Sequence, residues 1–230
     1  MTAAAPTQTR PAPRPTARKA REAYNHYGQK IGSKGERTRQ LLIDTTVELL
    51  ESNGLRDVSV VDVARAAKTS PATFYVYFRG VPEVVLAALE TASQTSPELE
   101  ALIGQDWLAP GAAKQALPFV EVYTALWNRN RTIFRVRNLA AEEGDDRFYQ
   151  ARMTAAGPMM VALTEQVARA QAAGLTPADL SPRACAGTIL MMLERLAAIG
   201  PISANEDDLN YAALKASAAY TLAYMLGARD

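Results

Sequence analysis

From Gly35 onward the apolar positions recur at the three-and-four spacing of an amphipathic helix, and no convincing pair of alternating strands interrupts them. Leu42, Thr46, Leu49 and Leu50 share one face of a first helix, which Asn53-Gly54 ends. Ser59 reads as an N-cap with Asp62 in the first turn, opening a short helix through Ala67. At Ser70-Pro71 a capping serine precedes a proline in the first helical position, opening a helix through Phe78. Pro82-Glu83 opens a fourth, running through Ala92. A loop is expected over 96–111, followed by helices at about 112–129, 132–142, 145–173, 182–199 and 206–227. Ser181-Pro182 repeats the capping device, and Gly144, Gly174 and Gly200-Pro201 punctuate between helices. The pattern predicts an all-α protein of about nine helices without an internal repeat.

The first 33 residues break this pattern. They open MTAAAPTQTRPAPRPTARKA, with little to bury, and are expected to form a disordered arm. Charge separates the same segment from the rest. Residues 1–39 hold nine basic and two acidic side chains, a net +7, while the remainder carries −6, although the whole chain sums to +1. A basic arm ahead of a mildly acidic body suits a polyanionic partner at one end only. A transit peptide has a similar Arg-rich composition, but no secretory apolar run is present, and a cytoplasmic location is expected.

Composition removes several chemistries. One cysteine, Cys185, excludes an internal disulfide framework and a cysteine-based zinc site. One histidine, His26, excludes histidine-cluster metal centres and weakens most catalytic triads. No apolar run approaches the ~20 residues of a membrane span. No metal, cofactor or enzymatic activity is expected.

Three short helices within 36–78 have the size of a helix-turn-helix unit, whose last helix enters the DNA major groove. On the third, Phe74 and Phe78 lie four apart and point inward, so Ala72, Thr73 and Val76 face away from them. Ser70 and the amides at that helix's N-terminus suit a phosphate. Spacing alone equally fits a small three-helix core without a ligand.

Residues 36–90 resemble the DNA-binding domain of TetR-family transcriptional regulators. The likeness rests on Gly54, Val58-Ser59, the run VDVARAAKTSPATFYVYF over 61–78, and Glu83-Val84 with Leu86. It implies that Ser59, Ser70, Tyr75 and Tyr77 contact phosphates, and that Ala72, Thr73 and Val76 face bases. With Arg39, Lys68 and Pro71 these form the candidate DNA-binding set. It implies a division into a disordered basic arm (1–33), a helix-turn-helix domain (34–80) and a helical effector-binding and dimerisation domain (81–230). Two positions depart from the family pattern: Lys68 stands where a turn glycine is usual, and Val81 where a lysine anchors the fourth helix to the DNA backbone. The recognition face also lacks Arg, Asn and Gln, so readout is expected to lean on thymine methyls, phosphates and DNA shape, with arm arginines offered to an A·T-rich minor groove.

The last helical segment, 206–227, is apolar nearly all round, and the one before it is rich in small residues; the family uses this pair as a dimer seam. Its run LMMLER at 190–195, with the Tyr-rich final helix, bears a fainter likeness to the ethionamide-regulator branch. Between these helices and the DNA-binding unit lies an aromatic and Met-rich set. Trp107, Phe119, Tyr123, Trp127, Phe134, Met153 and Met160 are its candidate ligand-binding residues, suited to a small, largely apolar effector. Arg135 and Arg137 fit either solvated helix charges or contacts to an anionic effector group. The acidic run 142–146 lacks the alternating spacing of a calcium loop.

The expected function is that of a homodimeric, ligand-responsive repressor of a palindromic operator in double-stranded DNA, with no membrane partner. Two other readings fit the same sequence: a regulator controlled by a protein partner, and an all-α enzyme using the apolar pocket.

Overall fold

The computed structural model describes residues 28–93, 96–200 and 210–229. The expectation for the arm up to residue 27 therefore lies outside the described residues. The described residues form ten α-helices and one 3-10 turn joined by loops, with no strand among them. They are α1 (Ser33–Leu50), α2 (Val60–Ala66), α3 (Pro71–Tyr77), α4 (Val81–Ala92), α5 (Pro97–Gly104), α6 (Ala116–Arg129), α7 (Arg131–Glu142), α8 (Asp146–Ala172), α9 (Pro182–Ile199) and α10 (Tyr211–Met225). None of them alone is long and apolar enough to cross a membrane.

Serine caps set many of the starts. Ser59, Ser70, Ser96 and Ser181 each accept a backbone N–H of the first turn, and proline follows directly at the last three. Ser59 and Asp62 form a reciprocal capping box, and the Ser59 hydroxyl also donates to the Asp62 carboxylate. These bonds, the side-chain one foremost, hold the Asp62 carboxyl below the usual carboxylate range.

Helix α5 corrects the loop expected over 96–111. It has eight residues, too short to persist alone, but Leu99 and Ile103 are buried against α6 and α8. Helix α8 runs unbroken for 27 residues despite Pro158, which lacks the N–H that would bond the Thr154 carbonyl.

The core has two regions. One joins α1–α3 to α4 and α7 through Leu42, Val63, Phe74, Phe78, Val84 and Phe134. The other is built by α5, α6, α8, α9 and α10 around Phe119, Leu163, Ile189, Leu193 and Leu222. Helix α4 packs on α1, α7 and α8, so it belongs to the mechanical connection between the N-terminal unit and the larger bundle. Arg131 closes the end of α9: its guanidinium donates to the carbonyls of Ala197 and Ala198 at 2.9 and 2.8 Å. Gly200 follows with φ +64°, and a Cβ there would collide with that guanidinium.

Candidate nucleic-acid interface and interior cavity

Helix α3 is positioned by its two phenylalanines. Phe74 and Phe78 are buried, their rings 5.9 Å apart, and they fix the helix by its inner face. Pro71, Ala72, Tyr75 and Val76 are consequently exposed, with Thr73 and Tyr77 half-buried beside them. This arrangement brings the expected base-facing residues onto one outward surface. Thr73 is held in place by Ser70, whose Oγ accepts its backbone N–H at 3.1 Å and lies 3.0 Å from its hydroxyl.

That cap changes the expectation of free amides at the start of α3. Pro71 has no N–H and Thr73 gives its own to Ser70, so Ala72 alone is left to meet a phosphate in the first turn. Ser59 is exposed, but its hydroxyl is engaged by Asp62. Arg39 is half-buried, with its guanidinium 5.1 Å from the centre of the Phe78 ring, a cation–π contact that also steadies α3.

The two departures noted in the sequence have different outcomes. Lys68 adopts φ +52°, the left-handed conformation that glycine supplies more cheaply. The turn closes with Lys68 N–H donating to Arg65 O at 3.1 Å and Thr69 N–H donating to Ala64 O at 2.9 Å, a Schellman pair. The lysine side chain is exposed on the turn just before α3. Val81 is buried and serves the core, so it offers nothing to a DNA backbone. Lys68→Gly is expected to raise stability by about 1 kcal/mol, or about 2–4 °C in Tm, while lowering DNA affinity and its salt dependence. Thermal melts and titrations at two salt concentrations check both halves.

A cavity of about 310 Å³, open on one side, lies in the larger bundle, lined by residues from α4 through α9. Five of the seven ligand candidates line it: Tyr123, Trp127, Phe134, Met153 and Met160. Trp107 and Phe119 do not. Both are fully buried in the bundle core, edge to face at 6.4 Å, and the Trp107 indole donates to the Ile103 carbonyl. They support the cavity's surroundings and drop out of its wall.

Charged residues at the cavity were largely missed by sequence reasoning. Arg137 (α7) donates to Glu194 Oε1 (α9) at 2.7 Å, and Arg152 (α8) donates to Glu194 Oε2 at 2.5 Å. Asn138 adds a donor to the same carboxylate at 3.2 Å. Arg137 is buried, unlike a solvated helix charge, whereas Arg135 is exposed. Burial pulls the Arg137 guanidinium below its ordinary range, against the opposing influence of Glu194. Burial, then the nearby Glu194 charge, pushes the Tyr123 phenol up, so it remains a neutral hydrogen-bonding group. The available signal was position: Arg137 falls on the stripe of Ile133, Phe134 and Ala140, and Glu194 between Leu190, Leu193 and Ala197.

Comparison with known proteins agrees with this architecture. Residues 42–88 match the model for bacterial regulatory proteins of the TetR family, and residues 99–227 match that for the tetracyclin repressor-like C-terminal domain. The HTH-type transcriptional regulator AqdR of Rhodococcus erythropolis is 32% identical over 69 residues, 30% of this chain and only 33% of that regulator. Among solved structures, the fatty acid degradation regulator FadR of Bacillus halodurans superposes with a TM-score of 0.61 at 15% identity, covering 85% of this chain and 97% of that one. The MbdR regulator of Azoarcus sp. CIB gives 0.60 at 16% identity, covering 80% and 96%. At such identities the structural likeness speaks for the fold, while the family models cover both the helix-turn-helix unit and most of the bundle. The chain is a member of the TetR family of DNA-binding transcriptional regulators.

Proposed function

We propose that the protein is a homodimeric repressor that leaves a palindromic operator when a small, largely apolar effector enters the bundle cavity. It acts by binding and not by turnover, and a cytoplasmic location follows from that role. The observation that carries this reading is the cavity's place in the packing. Its walls include Trp127, Phe134 and Arg137 on α6 and α7, and α7 packs directly on α1 and α4 of the DNA-binding end. An effector that prefers one arrangement of α7 shifts the population of that arrangement, and with it the separation of two α3 helices in a dimer.

The DNA-binding set offered for the operator is Arg39, Ser59, Lys68, Ser70, Pro71, Ala72, Thr73, Tyr75, Val76 and Tyr77. The apolar exposed surface of α3 favours thymine methyls and sequence-dependent shape over bidentate base contacts. Selection of genomic fragments, then footprinting at two salt concentrations, tests the reading. A protected pseudo-palindrome supports it, and retention that is indifferent to sequence and vanishes with salt overturns it.

In this reading the second copy sits on α9 and α10. These helices pack together yet leave Met191, Tyr220 and Tyr224 well exposed, at 63%, 73% and 55%. Tyr220 and Tyr224 stack at 6.3 Å, forming an apolar ridge that suits an isologous four-helix seam. Tyr220→Glu puts like charges near a twofold axis. It is expected to yield monomers in sedimentation velocity and to weaken operator binding about a hundredfold through lost bivalency.

A further inference from the structure

We propose that the effector cavity selects an amphipathic organic anion, held with its charged group at Arg137 and Arg152 and its hydrocarbon body against the methionine-rich wall. The inference rests on the effector reading above and adds the chemistry of the ligand. Two guanidiniums and one carboxylate meet at the cavity, so the cluster carries one positive charge beyond what Glu194 neutralises. Neutrality is completed by an anion and worsened by a cation.

Geometry points the same way. Glu194 is already supplied with three donors, from Arg137, Asn138 and Arg152, so its carboxylate has little capacity left for a cationic ligand. Each guanidinium, by contrast, has five N–H donors; the Glu194 bonds use one from each, and Arg137 spends one more from Nε to Asn138 Oδ1 at 2.9 Å. Arg152 is the more accessible of the two, its side chain 29% exposed against 7% for Arg137. Apart from Ser93 and Tyr123 the remaining wall is apolar and adaptable, with Met153, Met159 and Met160 on α8 and Leu126 and Trp127 on α6.

The anion also acts on the fold. Glu194 ties α9 to α7 through Arg137 and to α8 through Arg152. A ligand anion competes with Glu194 for these guanidiniums and loosens that tie. Because α7 packs on α1 and α4, the exchange at the charge cluster is where effector binding meets the DNA-binding end.

The test uses the full chain and two sets of probes matched in framework. One set is decanoate, decanol and decylammonium; the other is naphthoate, naphthylmethanol and naphthylmethylammonium. Binding is read by the thermal shift and by quenching of tryptophan emission, since Trp127 is one of only two tryptophans. The acid of at least one set is expected to bind about tenfold or more tightly than its alcohol, with the ammonium weakest. Arg152→Gln should erase most of the acid's advantage while lowering the alcohol's affinity far less. Glu194→Gln removes the internal competitor and should strengthen acid binding, an increase that mere structural damage does not produce. Alcohols or ammoniums that bind as tightly as the acids in both sets overturn the charge preference while leaving the effector cavity standing. Failure of all six probes to bind overturns the cavity reading and this inference together.

Discussion

Thr73→Ala combined with Tyr77→Phe should lower operator affinity at least about a hundredfold while leaving the dimer and its melting temperature nearly unchanged. Thr73 lies outside the core that Phe74 and Phe78 occupy, and Tyr77 packs partly against it through a ring that phenylalanine retains. Thr73 is the one side chain among Ala72, Thr73 and Val76 with a hydrogen-bonding group to offer a base. Its hydroxyl is 3.0 Å from Ser70 Oγ, so its direction is fixed before DNA arrives. Tyr77 lies close to the start of α1, where a Cβ on Gly35 would be 3.5 Å from the phenol oxygen. Removing that hydroxyl takes away the proposed phosphate donor without opening a cavity. Each such contact is worth about 1–3 kcal/mol and is duplicated in a dimer. Fluorescence anisotropy on the footprinted operator, with sedimentation as the control, checks the expectation. Unchanged affinity with an intact dimer would show that α3 is not the reading helix.

Glu194→Ala should cost about 3–5 kcal/mol, lowering Tm on the order of 10 °C. The substitution leaves Arg137 and Arg152 facing one another with no carboxylate between them, and Arg137 is almost wholly withdrawn from water. Removing one partner of a buried charge cluster is far more damaging than replacing the whole set, since the surviving charges keep their desolvation cost. Adding Arg137→Met should therefore recover part of the loss, because one uncompensated cation is gone and its volume is filled. Calorimetry on the two single variants and the double measures this coupling directly. Strict additivity would mean that the cluster contributes nothing as a unit.

Local chemistry explains how much of the fold was legible from the residues. A capping serine followed by proline marks a helix start through bonds made within one turn, so α3 and α9 were placed at their first residues. The inward aim of Phe74 and Phe78 follows from helical spacing alone, and so does the outward aim of Ala72 and Val76. The left-handed turn at Lys68 was legible through the family resemblance, which puts a glycine at that position, and not from its neighbours.

What remained hidden depends on which stripe meets which. Helix α5 has the same Ser-Pro start as α3, but its eight residues gain their stability from α6 and α8 rather than from their own sequence. Trp107 and Phe119 are as aromatic as Trp127 and Phe134, and periodicity cannot say that the first pair packs edge to face while the second borders a cavity. Arg137, Arg152 and Glu194 lie on three helices and up to 57 residues apart, and only tertiary packing brings them together. The helices, their caps and the exposed face of α3 are properties of neighbouring residues; the cavity and its charge exist because distant helices enclose the same space.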